Sequence, residues 1–324
     1  MKIHEIKLSK REKKRANEFE ALVDNRLVPL NCLLCDADNS AITIFSNYDR
    51  YGFNYPTGMC SSCGNIQQAK YYSDHHLKIF YEEYYRDIYG SLSPSELFDH
   101  QYDRSHKVFE FCEDYISINN GKILEIGTGS GGILARFRDS KFEVEGIDLD
   151  ERYMKFARNK GLSINYGDID SLSIDDSRYQ MVIICHVLEH IKDPKEFLNK
   201  IKKCLKKESF LYIEVPIIES VLNGAYRGLL GRYFQNAHVS HFSIDTLKAT
   251  LEKIGFQIVK YNDEGRFLVK KCTKEEGKLP HGLFEKQKSL LSKLLSKQKL
   301  YFLRNPLMSI IYFIYDLIKP FFKK

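Results

Sequence analysis

Apolar residues change their spacing repeatedly along the middle of this chain. The runs MVIIC (181–185) and FLYIEV (210–215) are almost unbrokenly apolar, the pattern of parallel strands covered on both faces. Strand patterns fall at Lys122–Ile126, Phe142–Ile147, Ser163–Tyr166, Gln180–Cys185 and Phe210–Val215. Helical spacing fills the gaps, near 131–138, 151–159, 194–206 and 243–254. A longer helical pattern over 96–118 carries Leu97, Phe98, Tyr102, Val108, Phe109, Phe111 and Tyr115. Then GFQIVKY and GRFLVKK alternate across a turn at Asn262–Gly265, as an antiparallel edge hairpin does. The order predicts an α/β class: one Rossmann-like, mostly parallel seven-stranded sheet with an antiparallel C-terminal hairpin.

Four parts follow from these patterns. Residues 1–30 are a basic, helical lead-in. Residues 31–90 are Cys-paired and Tyr-rich. Residues 95–272 hold the α/β unit, and 273–324 form a basic helical tail. In the tail, Leu283, Leu290, Leu291, Leu294, Leu295 and Phe302 share a helical side with Lys286, Lys293 and Lys297 interspersed. The segment LMSIIYFIYDLI (307–318) contains Asp316 and is too short to span a bilayer. A basic amphipathic helix ending in lysines suits an interfacial contact with an anionic leaflet through 283–324; packing on the core or on a second subunit accounts for the same pattern. The basic start has no apolar secretory region, so the expected location is cytoplasmic, with peripheral contact at the inner face of the cell membrane.

Charge sharpens this division. The 324 residues carry a net +6, but the first 30 hold +3 and residues 270–324 hold +9, leaving −6 for the middle. A nucleic-acid enzyme carries its basic stripe on the body, so no nucleic-acid partner is expected.

Residues 123–132 read ILEIGTGSGG, a buried strand running into Gly127, Gly129 and Gly131 and then a helix. Glycines here let the backbone turn sharply and approach a ligand. Gly127-x-Gly129-x-x-Gly132 also satisfies the dinucleotide fingerprint, and two acids separate the ligands. Glu125 sits inside the strand end, where a buried carboxylate is costly unless paired; a ligand ammonium would pair with it, and a nicotinamide dinucleotide offers none there. Asp148 ends the second strand 21 residues beyond Gly127 and can accept both ribose hydroxyls. Asp168, after the third strand, can accept from an adenine amino group, with Ile169 against the ring.

Taken together, ILEIGTGSG, GIDLD, GDID and MVIICHVLEHIKDP resemble a class I S-adenosylmethionine-dependent methyltransferase over roughly residues 95–272. The resemblance implies that Glu125 and the glycine loop hold the methionine part, Asp148 the ribose, and Asp168 and Ile169 the adenine. It places His186 against the methionine part by its backbone, with Glu189 and His190 facing the transfer site. His190 is then the first candidate base, unless it and Glu189 brace the strand–helix junction. The long insert after the fifth strand supplies His238 and His241 as further base or acceptor-binding candidates, with packing as the alternative. His186-x-x-Glu189-His190 also matches a zinc-protease signature, but that needs both histidines on one helix face, and Pro194 leaves room for only a short turn.

Cys32-x2-Cys35 and Cys60-x2-Cys63 are separated by 24 residues. Two such knuckles predict a closed, structural four-cysteine zinc site, with Gly64 relieving the second knuckle and a hairpin around Tyr51–Tyr55 filling the spacer. A four-cysteine module before a class I methyltransferase core is similar to bacterial sugar C-methyltransferases and related glycan methyltransferases. That resemblance implies a glycan or other small-molecule acceptor. It departs in the tail, which is too short for the further folded domain of the C-methyltransferases, so O-methylation of a hydroxyl is at least as well supported. Residues 48–102 hold 10 of the 21 tyrosines, flat faces for a sugar ring or packing between two parts.

Overall fold

The computed structural model describes residues 6, 8–23, 26–89, 92–172, 178–272 and 277–304. Seven strands form the central sheet: β1 (Lys122–Ile126), β2 (Val144–Asp148), β3 (Ile164–Tyr166), β4 (Tyr179–Cys185), β5 (Leu205–Glu214), β6 (Phe256–Tyr261) and β7 (Arg266–Lys271). Their order is β6-β7-β5-β4-β1-β2-β3. The five strands β3, β2, β1, β4 and β5 run parallel, and β7 pairs antiparallel with both β5 and β6. The α/β class and the hairpin at the sheet edge are as the sequence predicts. One difference is β5, which begins at Leu205 rather than Phe210: Leu205 pairs with Tyr179, and a register shift precedes Phe210 opposite Met181. The polar stretch Lys206–Ser209 hides that extension from a hydrophobicity reading.

Helix starts follow local chemistry. The helix Pro94–Cys112 has Ser93 as N-cap, reciprocal bonds with Glu96, and proline at its first position, a combination that satisfies otherwise orphan amides. Asp193 caps Pro194–Cys204 in the same way, its carboxylate accepting from Glu196 N at 2.9 Å. This cap ends the strand–helix junction after β4 within a few residues, so His186, Glu189 and His190 fall on a turn and a single 3₁₀ turn (Leu188–His190). The main core lies on both faces of the sheet, around Leu124, Val182, Ile184 and Ile213 on one side and Ile123, Met181, Ile183 and Tyr212 on the other.

The N-terminal part builds a hairpin, Ile42–Tyr48 with Asn54–Cys60, extended by Ile66–Gln68. It docks by main-chain bonds: Gln67 bridges Ser240 antiparallel, Gln68 N donates to Val239 O at 2.9 Å, and His241 N donates to Ile66 O at 2.9 Å. The insert after β5 is thus stitched to the cysteine module. Helix Lys10–Val23 buries Phe19 against Tyr72 and Phe80, each ring centroid 4.9 Å away.

The tail helix Leu283–Arg304 corrects part of the amphipathic reading. Leu291 and Leu294 are buried with Ile66, Ile218, Leu230 and Phe234, and Leu283 is buried beside the cysteines. Leu283, Leu291 and Leu294 thus pack on the body of the protein, while Leu295 is exposed. Segment 307–318 lies outside the described residues. Among those residues no helix is long and apolar enough to cross a membrane.

Gly64 shows how tightly the tail is seated. Its φ is +81°, and an added Cβ would lie 2.6 Å from Gln287 Cβ on the tail helix. Gly64→Ala is therefore expected to cost about 2 kcal/mol, from left-handed strain and overpacking combined, with a fall in thermal midpoint measured by calorimetry. An unchanged midpoint would show that the tail yields freely.

Candidate functional site

The loop after β1 carries Gly127, Gly129 and Gly131 at φ +72°, +54° and +80°. At Gly127 a Cβ would come within 2.6 Å of Val187 Cγ2, so only glycine lets the turn after β4 close over this loop. From below, Glu125 is buried and accepts a hydrogen bond from the Thr128 hydroxyl at 2.8 Å. Burial pushes its carboxyl up to about 8: a low-dielectric site without a cation favours the neutral acid. Ser130 Oγ, fully buried in the same loop, has no hydrogen-bond partner.

Asp148, at the end of β2, accepts from Gly129 N at 2.7 Å and from Asp150 N at 2.8 Å. Burial raises its pKa against those two bonds. Asp168 is exposed and caps a single turn, accepting from Asp170 N at 3.0 Å, while Ile169 is buried. The structure brings Glu125, the three glycines and Asp148 together at the carboxyl ends of β1 and β2, where open parallel sheets bind ligands. Asp168 and Ile169 follow β3 at the same end.

Across the loop, His186 directly follows β4 with φ +55°, a left-handed conformation that costs a non-glycine residue about 1 kcal/mol or more. Its amide is not free: it donates to Glu214 O at 2.8 Å. Its ring reaches Glu189 Oε1 from Nδ1 at 3.4 Å and Glu214 Oε1 from Nε2 at 3.9 Å. Glu189 is 1% exposed, and neither carboxylate oxygen has a hydrogen-bond partner. His190 Nδ1 lies 3.0 Å from Ala237 O and 3.1 Å from the Tyr81 hydroxyl. The His238 ring packs edge-on to His190 with centroids 4.8 Å apart. Burial lowers the pKa of both rings, so both are neutral at neutral pH. His241 is placed differently. It is buried beside Phe234, has no partner at either ring nitrogen, and is pushed down to about 3 by burial.

Several residues at this site escape a sequence reading. Gln101, on the helix before β1, donates to Thr128 O at 3.0 Å and accepts from Gly132 N at 3.3 Å, clamping the glycine loop. Glu214 links His186 to Tyr212, whose hydroxyl donates to it at 2.9 Å. Tyr81 and Tyr85 set their rings edge-on to His190, with centroids at 6.1 and 5.8 Å. The sequence offers the tyrosines of FYEEYYRDIYG as a face for the acceptor or as packing; their contact with His190 is what the structure adds.

The four cysteines converge as their spacing predicts. Cys32 and Cys63 sulfurs are 3.5 Å apart, Cys35 and Cys60 3.6 Å, and all four lie within 4.8 Å of one another. A tetrahedral zinc with 2.3 Å bonds holds its sulfurs about 3.8 Å apart, so the donor set fits that ion, and all four thiols are free of disulfides.

Comparison with known proteins adds the family. Residues 98–261, half of the chain, match the family described as a methyltransferase domain. The chain belongs to that family. Among curated relatives, a ubiquinone biosynthesis O-methyltransferase of Hydrogenovibrio crunogenus is 29% identical over 39% of this chain and 54% of its own length. One of the same description from Coxiella burnetii is 26% identical over 32% of this chain and 47% of its own. The chain thus spans about half the length of these relatives. A solved methyltransferase structure from Methanosarcina mazei is 17% identical, with a TM-score of 0.42, over 51% of this chain and 98% of that one.

Proposed function

We propose that the protein transfers a methyl group from S-adenosylmethionine to a hydroxyl on a ring-shaped small molecule. S-adenosylmethionine, when bound, supplies a methyl group on a good sulfonium leaving group, so the protein's work is chiefly alignment. The observation that carries the reading is Glu125: a buried carboxylate kept neutral for want of a cation, under a loop of left-handed glycines and beside the unpartnered Ser130 hydroxyl. An α-ammonium group would ionise Glu125 and pair with it. Asp148, giving up its bond to Gly129 N, would accept ribose hydroxyls, and Asp168 with Ile169 would meet the adenine. The turn Val187–His190 would close over the methionine part, leaving Glu189 and His190 toward the acceptor.

Two acceptor classes have specific support. The curated relatives are named for ubiquinone biosynthesis, which favours a phenol-type ring. The tyrosine wall at Tyr81 and Tyr85 and the module-plus-core arrangement favour a saccharide, the reading with the glycan resemblance behind it. Transfer of labelled methyl to phenolic against saccharide acceptors distinguishes them. The cofactor placement is tested first. Asp148→Ala is expected to weaken S-adenosylmethionine binding about tenfold in calorimetry, the loss of one or two hydrogen bonds to a charged group; unchanged affinity would refute the placement of the ribose.

A further inference from the structure

Beside the transfer site, three acceptor atoms, two of them on buried residues, face one another with no hydrogen between them. His190 Nδ1 lies 3.0 Å from the Ala237 carbonyl, which can only accept, so Nδ1 carries the proton and Nε2 a lone pair. Arg50 donates to the Gln235 amide oxygen, so the Gln235 NH2 group faces His238 Nε2 and donates to it; that nitrogen, too, holds a lone pair. Both lone-pair nitrogens approach Glu189 Oε1, His190 Nε2 at 4.0 Å and His238 Nε2 at 3.9 Å. Glu189 is 1% exposed with both oxygens unpartnered.

An unpaired buried carboxylate is costly, and two neutral imidazoles presenting lone pairs do nothing to relieve it. A cation placed between them would. The three ligand atoms lie within 4.8 Å of one another. An ion with bonds near 2.1 Å holds its ligands roughly 3.4 Å apart, so the set must draw in by about an ångström, with His238 exchanging the Gln235 amide for the ion. The second bond of His190, from Nδ1–H to a main-chain carbonyl, is the outer-shell arrangement that fixes the tautomer of metal-bound histidines.

We propose that Glu189, His190 and His238 hold a divalent cation of the zinc or cobalt class, distinct from the four-cysteine site. Two imidazoles and one carboxylate suit such ions and leave coordination positions open. His186, 3.4 Å from Glu189 Oε1 and the most exposed ring of the cluster, marks the open side. The inference rests on the methyl-transfer reading for its chemistry: an acceptor hydroxyl bound to the ion sheds its proton to water more readily. Its oxygen then forms the O–CH3 bond as the C–S bond breaks, and that electron pair stays on sulfur. The zinc-protease pattern is not what these residues form: His186 is not among the ligands, and the third ligand, His238, comes from the insert.

The test is metal stoichiometry on the full chain, stripped with chelator and dialysed against zinc. Wild type is expected to hold two zinc ions per chain. Glu189→Gln and His238→Ala are each expected to hold one, while a cooperative thermal transition near that of wild type certifies that the variants fold. One zinc in wild type, or two in either variant, overturns the proposal. If instead the second zinc is present but S-adenosylmethionine does not bind, the metal site stands and the cofactor reading fails.

Discussion

Glutamine at position 125 is expected to weaken S-adenosylmethionine binding about 100-fold and to erase its pH dependence. The magnitude follows from removing one partner of a buried, charge-assisted pair, which costs roughly 3 kcal/mol because the other charge is left unmatched. The pH dependence follows from Glu125 itself. In the free protein burial raises its carboxyl to about 8, so it is protonated at neutral pH. Pairing with the ligand's ammonium requires the carboxylate, and binding therefore releases a proton. Affinity is expected to climb up to tenfold per pH unit below about pH 8, peak there, and fall above it as the ligand's own α-amino group, with a pKa near 8, loses its charge. Stability runs the opposite way. The neutral buried acid favours the folded state fully below its unfolded pKa of 4.5, and that contribution is lost as pH rises through about 8. Unliganded Glu125→Gln should therefore melt higher than wild type at about pH 8. Calorimetric titrations in two buffers of different ionisation enthalpy measure the released proton. A variant that binds within threefold of wild type, with the same pH profile, would remove Glu125 from the ligand site.

The second large effect concerns the cysteines. Cys60→Ser is expected to lose the thiolate-bound metal and, with it, the fold of the segment from Cys32 to Gln68. Structural zinc contributes on the order of 10 kcal/mol in small modules, comparable to the whole stability of a domain. The core cluster there is small, chiefly Leu34, Ile42, Ala69 and the cysteines themselves with Leu283 and Ala249 of neighbouring elements. Because Gln68 and Ile66 hold Val239 and His241 by main-chain bonds, the loss should spread to the insert that carries His238. Cobalt substitution reads this site separately, through the charge-transfer absorption of cobalt thiolates. Retention of that absorption and of the wild-type thermal transition would show that the module does not depend on metal.

Much of the fold is legible along the chain because its signals are local. Buried parallel strands read as unbroken apolar runs, and β1 falls at Lys122–Ile126, the limits its pattern gives. Pro194 marks a helix start where the pattern puts it, whereas the helix read over 96–118 spans Pro94–Cys112 behind its Ser93 cap. The missed start of β5 has the opposite cause: Lys206–Ser209 is polar, and its pairing is decided by the neighbouring strand. The tail stripe was legible as amphipathic, but what it covers was not. An apolar helix face is equally suited to a bilayer and to a protein groove, and its burial against Ile66, Leu230 and Phe234 depends on residues more than 50 positions away.

The sequence by itself determined the α/β order, the glycine loop with its acids, and the two cysteine knuckles, because each depends on residues close together in the chain. Only the tertiary structure decided which distant groups share a dielectric and a hydrogen-bond network. It set His190 between Tyr81 and Ala237, brought His238 across from the insert, and left Glu189 buried without a donor. Those facts turn on desolvation and on which atoms carry protons, and neither is a property of any one segment.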